Sequence, residues 1–223
     1  MKILSAGAVA PGLTKVVDMF QRQTCAEIKL AFATAPEIRR KLAADEYADV
    51  VIAPAALLDE LVAAGTLTKR RIALGRIGVG ILVRDDAPVP RITDAAELTQ
   101  ALLRADRIIY NQASTGSYLD GLFPRLGIAA EVAAKIIRYP DFAAVRDHIA
   151  NGCGSEIGFG ATTVIIENAG KGVQCAGPLP AAIQNFTAYA AASHLNAGDD
   201  AACFLDHLAT PAMRSLLQST GIV

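Results

Sequence analysis

Residues 1–11, MKILSAGAVAP, decide the fold. An apolar strand over 2–5 runs into a turn of small residues (Ala6, Gly7, Ala8) and then into a helix opened by Pro11. The stretch Phe32-Ala33-Thr34-Ala35-Pro36-Glu37 repeats that plan. Tyr110-Asn111-Gln112-Ala113-Ser114-Thr115-Gly116 is a third strand-to-helix turn of small and polar residues, without the proline. Small residues leave backbone N–H groups uncovered at a helix start, where unsatisfied donors and a partial positive charge favour an anion. Three such turns in one chain predict a site for a small anionic ligand, although each by itself also reads as ordinary turn chemistry.

Working outward, apolar strand-like runs alternate with helical periodicity. Strands are expected at 3–6, 27–32, 49–53, 76–84, 107–111, 134–139, 156–160, 173–177 and 185–192. Helices are expected at 12–22, 36–44, 54–64, 94–103, 116–123, 142–151, 161–168, 199–209 and 211–220. The alternation implies mostly parallel sheets covered by helices, an α/β fold. Two long strand candidates, 76–84 and 185–192, flank a central α/β block, as two strands crossing between two lobes would. The boundaries expected are 1–82 plus 190–223 for lobe 1 and 83–189 for lobe 2.

The chain has 223 residues, enough for one large domain or two small lobes. Hydrophobic residues at 52% against 19% charged mark a core-forming chain rather than a disordered one. A net charge of −1 supplies no basic field for nucleic acid or an acidic membrane. With 5% aromatics and no Trp, a stacking platform for bases or sugars is not expected. No apolar run approaches the roughly 18 residues of a membrane span, so no membrane insertion is expected. The N-terminus lacks a signal peptide: as written the chain reads as cytoplasmic, and as a processed form it reads as periplasmic. Four scattered cysteines without a CxxC pair read as free thiols.

The landmarks Ser5-Ala6-Gly7-Ala8-Val9-Ala10-Pro11, Phe32-Ala33-Thr34-Ala35, Ala48-Asp49-Val50-Val51-Ile52-Ala53, Ser114-Thr115-Gly116-Ser117-Tyr118, Glu156-Ile157-Gly158-Phe159-Gly160 and Leu208-Ala209-Thr210-Pro211-Ala212 span nearly the whole chain. In them the chain resembles type 2 periplasmic solute-binding proteins, and within these the molybdate-binding branch of ABC-transporter substrate-binding proteins. The resemblance implies a two-lobed fold with a ligand cleft between the lobes, lined by backbone N–H groups and hydroxyls at helix starts. Carried over by position, the contacts fall at Ala8 and Val9, at Thr34 or Ala35, at Thr115 with Ser114 and Gly116, and at Gly160 or Ala161. A monomer and no cofactor are expected, and for an exported chain the resemblance implies an ABC transporter permease as partner.

Two hydroxyls of the family pattern are missing, at Ala8 and at the position near Gly160 where the family carries a tyrosine. A compact oxyanion needs several donors to replace its hydration, whereas a larger organic carboxylate tolerates alanines there. An organic carboxylate is therefore expected rather than molybdate. Beside these positions stand Asn111 and Gln112 at a strand end, and Arg138, whose fork could clamp a carboxylate. Gln184 and Asn185 on the second long segment are expected on the hinge side.

The alternative is an enzyme on the same scaffold, such as an isomerase of a small polycarboxylate like aconitate. A 1,3-proton shift needs a base over a C–H bond and donors for the developing enolate. Asp141, Tyr118 and Tyr139 are the candidate catalytic residues. Each has a structural reading too: Asp141 as a helix cap, Tyr118 as a core residue, Thr34 with Glu37 as a capping box, and Ser114, Thr115 and Ser117 as caps. His148, His194 and His207 lack metal-ligand spacing and read as surface or satisfied side chains, so no metal is expected.

Overall fold

The computed structural model describes residues 1–223. They form two compact units, Met1–Ile77 with Thr187–Val223 (unit 1) and Gly78–Phe186 (unit 2).

The chain begins in unit 1 with β1 (Lys2–Ala6), a short 3-10 turn (Gly7–Val9) and α1 (Ala10–Thr24). β2 (Lys29–Ala33), α2 (Ala35–Ala43), β3 (Val50–Pro54) and α3 (Ala55–Ala63) follow. β1 lies between β2 and β3 and is parallel to both, with Ile3 opposite Leu30 and Val50. In β3, Val50, Val51, Ile52 and Ala53 are all fully buried, as an apolar run covered on both faces must be. β2 is the edge strand and leaves Lys29 and Phe32 exposed. α1 buries Leu13, Val16, Val17 and Phe20, one stripe at helical spacing.

β4 (Ile72–Arg84) carries the chain into unit 2. There α4 (Ala95–Arg104), β5 (Arg107–Asn111), α5 (Ser114–Arg125), α6 (Ala129–Ala133) and β6 (Ile136–Tyr139) come first. α7 (Phe142–Asn151), β7 (Glu156–Ala161), α8 (Thr162–Asn168) and β8 (Val173–Pro178) complete the unit. β5 is parallel to both β6 and β7, while β4 is antiparallel to β7 and β8. Each face of this sheet is buried under helices. Leu98 of α4, Leu119 and Phe123 of α5 and Val132 of α6 pack on one side. Val145 and Ile149 of α7 and Ile165 of α8 pack on the other.

β9 (Phe186–Ser193) returns to unit 1 antiparallel to β3, and α9 (Asp199–Leu208) and α10 (Pro211–Gln218) end the chain. Phe204 of α9 meets Phe20 of α1 edge-on, with ring centroids 5.2 Å apart. The fold is α/β, with mixed sheets flanked by helices. No helix is long and apolar enough to cross a membrane.

The structure departs from expectation locally. The strand expected at 134–139 starts only at Ile136, because residues 129–133 form α6 and Lys135 N–H closes its turn onto the Val132 carbonyl at 2.9 Å. A short apolar run does not distinguish strand from helix by periodicity. The capping box expected at Thr34 and Glu37 does not form. Thr34 is the N-cap residue, but its side chain makes no capping bond, and Glu37 turns toward Arg40 at 3.7 Å. A box closes instead at α4, where Asp94 Oδ1 accepts from Glu97 N–H at 2.8 Å and Glu97 Oε2 accepts from Thr93 N–H at 2.7 Å.

Candidate functional site

Parallel strands place their following turns at one edge of a sheet, the usual ligand-binding edge of α/β folds. In unit 1 the edge gathers Ala8 and Val9 after β1, Thr34 and Ala35 after β2, and Pro54 before α3. None of these helix starts has a side-chain cap. Val9 is fully buried, main chain included, so it offers a ligand no exposed atom.

In unit 2 the same edge gathers the starts of α5, α7 and α8 after β5, β6 and β7. α7 is sealed by its own residue. Asp141 Oδ1 accepts from Ala144 N–H at 2.9 Å, so Asp141 is a cap, which corrects its candidacy as a base. α5 is not sealed. Its N-cap is Ala113, and Ser114, Thr115 and Ser117 lie inside the first turn, which corrects the capping reading of all three. Thr115 is 6% exposed. The Asn111 side-chain oxygen is buried without a hydrogen bond. Gly116 lets this turn lie directly on β5. A Cβ there would stand 2.1 Å from the Asn111 carbonyl oxygen.

α8 starts in the same manner, with Ala161 as an uncapped N-cap followed by Thr162 and the buried Thr163. Ala161-Thr162-Thr163 is a fourth small polar strand-to-helix turn, which the apolar residues on both sides of it mask in the sequence. Gly160 itself makes room for Phe142, whose ring would be 2.5 Å from a Cβ at that position.

Three predicted site side chains are committed elsewhere. The Arg138 fork closes on a carboxylate of the protein: Nη2 donates to Asp120 Oδ1 at 2.5 Å and Nε to the Tyr110 hydroxyl at 3.2 Å. Tyr110 is fully buried and donates to Asp120 at 2.7 Å. Burial first, and the bond to Asp120 second, push its hydroxyl up to about 12. Gln184 bridges the main chain of β4, with Oε1 accepting from Val79 N–H at 2.8 Å and Nε2 donating to the Val79 carbonyl at 3.0 Å. The Tyr118 hydroxyl donates to the Ile183 carbonyl at 2.5 Å, and the ring packs on the core under Arg125, which removes it as a base. Arg138, Gln184 and Tyr118 thus hold unit 2 together.

Tyr139 stands differently. Its hydroxyl lies 2.8 Å from His148 Nδ1, and His148 Nε2 lies 3.3 Å from Glu156 Oε1. His148 is satisfied, as expected, but within a three-residue hydrogen-bonded chain that single positions do not reveal. A groove of about 770 Å³ lies at the opposite end of this sheet, where β7 begins, between Pro88, Pro90, Glu97, Arg104 and Ser155.

The fold has counterparts. The chain is 29% identical over 233 residues to an aconitate isomerase of Pseudomonas sp, covering all of this chain and 87% of that protein. The periplasmic molybdate-binding protein of Azotobacter vinelandii superposes with a TM-score of 0.83 at 14% identity, over 100% of this chain and 98% of that one. L-phospholactate-bound PEB3 of Campylobacter jejuni superposes with a TM-score of 0.74 at 12% identity, over 99% and 98%. The family model for bacterial extracellular solute-binding proteins matches residues 1–223. The chain therefore belongs to the bacterial extracellular solute-binding proteins and has the type 2 fold of their molybdate-binding-like branch.

Proposed function

We propose that the protein binds a small organic carboxylate through the uncapped helix starts of its sheets. The observation that carries the proposal is the start of α5, where Thr115 and open main-chain N–H groups follow an N-cap residue, Ala113, that makes no side-chain bond. In unit 2, Ser114, Gly116 and the turn from Gly160 to Thr163 supply the remaining contacts, and in unit 1 the helix starts of the same kind are those at Ala8, Thr34 and Ala35. The ligand is a carboxylate rather than molybdate because Ala8 and Gly160 lack the hydroxyls that a compact oxyanion would use. An exported chain of this kind hands its ligand to a transporter permease.

The test is a thermal-shift panel of molybdate, tungstate, sulfate, and di- and tricarboxylates. A ligand at 100 times its Kd stabilises by about 2.7 kcal/mol. That moves the Tm of a chain this size by about 5–10 °C. A carboxylate is expected to give the largest shift, and Thr115→Val is expected to weaken it about tenfold. Molybdate as the best stabiliser refutes the choice of ligand class, and an unaffected Thr115→Val refutes the site.

A second reading, isomerisation of an unsaturated polycarboxylate, is favoured by the relative named an aconitate isomerase, whose likeness runs the full length of this chain. Proton NMR of cis-aconitate incubated with the protein checks it. Appearance of the trans acid supports the enzyme, and an unchanged ligand that still stabilises the protein supports the binder.

A further inference from the structure

We propose that the groove where β7 begins is a second binding site of unit 2, for an amphipathic organic anion: an apolar body carrying one carboxylate or sulfonate. Its lining runs from Val83 to Ile157, all within unit 2, and includes no residue of the α5 start. One wall is a face of α4. Ala96, Gln100, Ala101 and Arg104 recur there at helical spacing, while Leu98 and Leu102 are buried in the core. From Ala96 to Arg104 the helix rises about 12 Å. A second wall is the segment carrying Ala87, Pro88 and Pro90. Val83 and Ile157, 3% and 4% exposed, reach from the groove into the core.

The walls are fixed by the protein's own bonds. Gln174 Nε2 lies 3.0, 2.9 and 2.9 Å from the carbonyl oxygens of Arg84, Asp85 and Ala87, and Gly172 N–H donates to Asp85 Oδ2 at 3.0 Å. The other wall is secured by the box that Asp94 and Glu97 close at the start of α4. A groove already in shape loses little affinity to ordering when a ligand enters. Its volume of about 770 Å³ lies within the range of small-molecule sites, about 300–1,000 Å³.

Four charged side chains line the groove, and the acids are engaged where the bases are not. Glu97 Oε2 accepts from the Thr93 N–H at 2.7 Å and the Thr93 hydroxyl at 2.8 Å. Glu156 Oε1 is 3.3 Å from His148 Nε2, and its side chain is only 11% exposed. Asp106, behind the same loop, accepts from Ser155 N–H at 2.8 Å. By contrast Arg91 is 84% exposed and reaches Glu97 only at 4.0 Å. Arg104 donates to Gln100 Oε1 at 3.1 Å, a neutral partner. The charge offered to a ligand is therefore positive.

The apolar part of the lining sets the rest of the ligand. Pro88 and Pro90 carry no N–H, and Ala96, Ala101, Val83 and Ile157 have no polar side-chain atom. A sugar or a short polyacid would leave its polar groups unpaired along that stretch. An alkyl chain or aromatic ring loses nothing there and gains by leaving water. One anionic group at its end takes the Arg104 guanidinium through two parallel hydrogen bonds. The site thus selects against the compact di- and tricarboxylates assigned to the helix starts, and it neither requires nor tests that assignment.

The experiment titrates the whole chain with anilinonaphthalene sulfonate, whose emission rises on leaving water, and competes it with octanoate and octanol. One saturable site is expected, weaker as salt rises, with octanoate at least about tenfold more effective than octanol. Arg104→Glu is expected to weaken the probe about tenfold or more, and Ala96→Trp, which fills the groove, to abolish its binding. Both positions are exposed, and thermal melts check that the variants are folded. The salt dependence and the octanoate-to-octanol ratio are read on the wild type and stand whether or not a variant folds. No saturable binding, or octanol as effective as octanoate, overturns the proposal. So does binding that survives in both folded variants, or that saturating cis-aconitate displaces, since the probe then sits elsewhere. A polyglutamate peptide that outcompetes octanoate assigns the groove to an acidic chain, and a dimer in sedimentation that excludes the probe assigns it to a second copy; either result overturns the small-anion site.

Discussion

Gly116→Ala is the sharpest perturbation of the α5 start. The added methyl would fall 2.1 Å from the Asn111 carbonyl oxygen and 3.0 Å from Tyr110 Cδ2. Ordinary contact begins near 3.4 Å, so helix and strand must part by about 1 Å. Neither gives easily, since β5 is hydrogen-bonded on both sides by β6 and β7 and Tyr110 is fully buried. Overpacking of this kind costs about 1–3 kcal/mol, and a backbone obstacle argues for the upper end. For a chain of this length that lowers Tm by about 6–10 °C. Gly121 is the internal control: it lies in the same helix, and a Cβ there meets nothing within 4 Å. Gly121→Ala is expected to stabilise by about 0.5–1 kcal/mol, the helix-propensity gain alone. Paired thermal and urea melts of the two variants measure both effects. The displaced first turn is also expected to weaken carboxylate binding at least tenfold in Gly116→Ala, while Gly121→Ala binds as wild type. A neutral Gly116→Ala, or equal losses in both variants, refutes the close approach.

Burial lowers the proton affinity of His207, whose Nε2 is buried without a partner and whose ring meets Phe20 at 5.3 Å. A histidine with a depressed folded-state pKa binds its proton more readily when unfolded. Its contribution is therefore complete above the ordinary histidine value of 6.5 and is lost as pH falls below it. His207→Gln is expected to flatten the decline of Tm between pH 6.5 and pH 5, and an unaltered decline counts against the assignment. In an alkaline absorbance titration of the five tyrosines, a step near pH 12 is expected from Tyr110 and is expected to vanish in Tyr110→Phe. Gln184→Leu strands the Val79 N–H, while the Val79 carbonyl keeps the Leu179 N–H at 3.0 Å, and is expected to cost about 1–3 kcal/mol in a urea melt, while a ligand still stabilises the variant by the wild-type increment. Arg138→Ala removes a half-exposed ion pair to Asp120, so a loss of no more than about 1 kcal/mol is expected, with ligand affinity retained. A large loss of affinity would return Arg138 to the site.

The elements were legible where local chemistry and burial agree. β5 and α7 begin and end at the residues read from sequence, because Asn111 and Gln112 break an apolar run and Asp141 caps the helix that follows. α1 starts two residues early for a local reason, since a proline opening a helix belongs to its first turn and not to its boundary. The site was legible only as a set of turns. Which side chains remain available depends on partners far along the chain. Arg138 meets Asp120 at a separation of 18 residues, and Gln184 meets Val79 at 105. No window of sequence shows that a polar group is already satisfied. The same blindness hid the Tyr139 chain, whose three members come from a strand end, a helix and the start of another strand.

The pairing of Arg138 changes what kind of anion site unit 2 can be. With that fork closed on Asp120, what stays open at the start of α5 is a hydroxyl and main-chain N–H groups, which carry no net charge. Main-chain N–H groups only donate. A carboxylate oxygen that keeps its proton meets such a group donor to donor, and the pair goes unmade at a cost of about 1–3 kcal/mol. A carboxylate held in this way loses affinity in acid as the ligand itself protonates, and not as a basic side chain titrates. Selectivity then follows the number and placement of ligand oxygens, which is where Ala8 and Gly160 differ from hydroxyl-bearing positions. A wider acid, with its oxygens spaced along a carbon chain, engages Thr115 and the α5 amides without needing a donor at every position along its length.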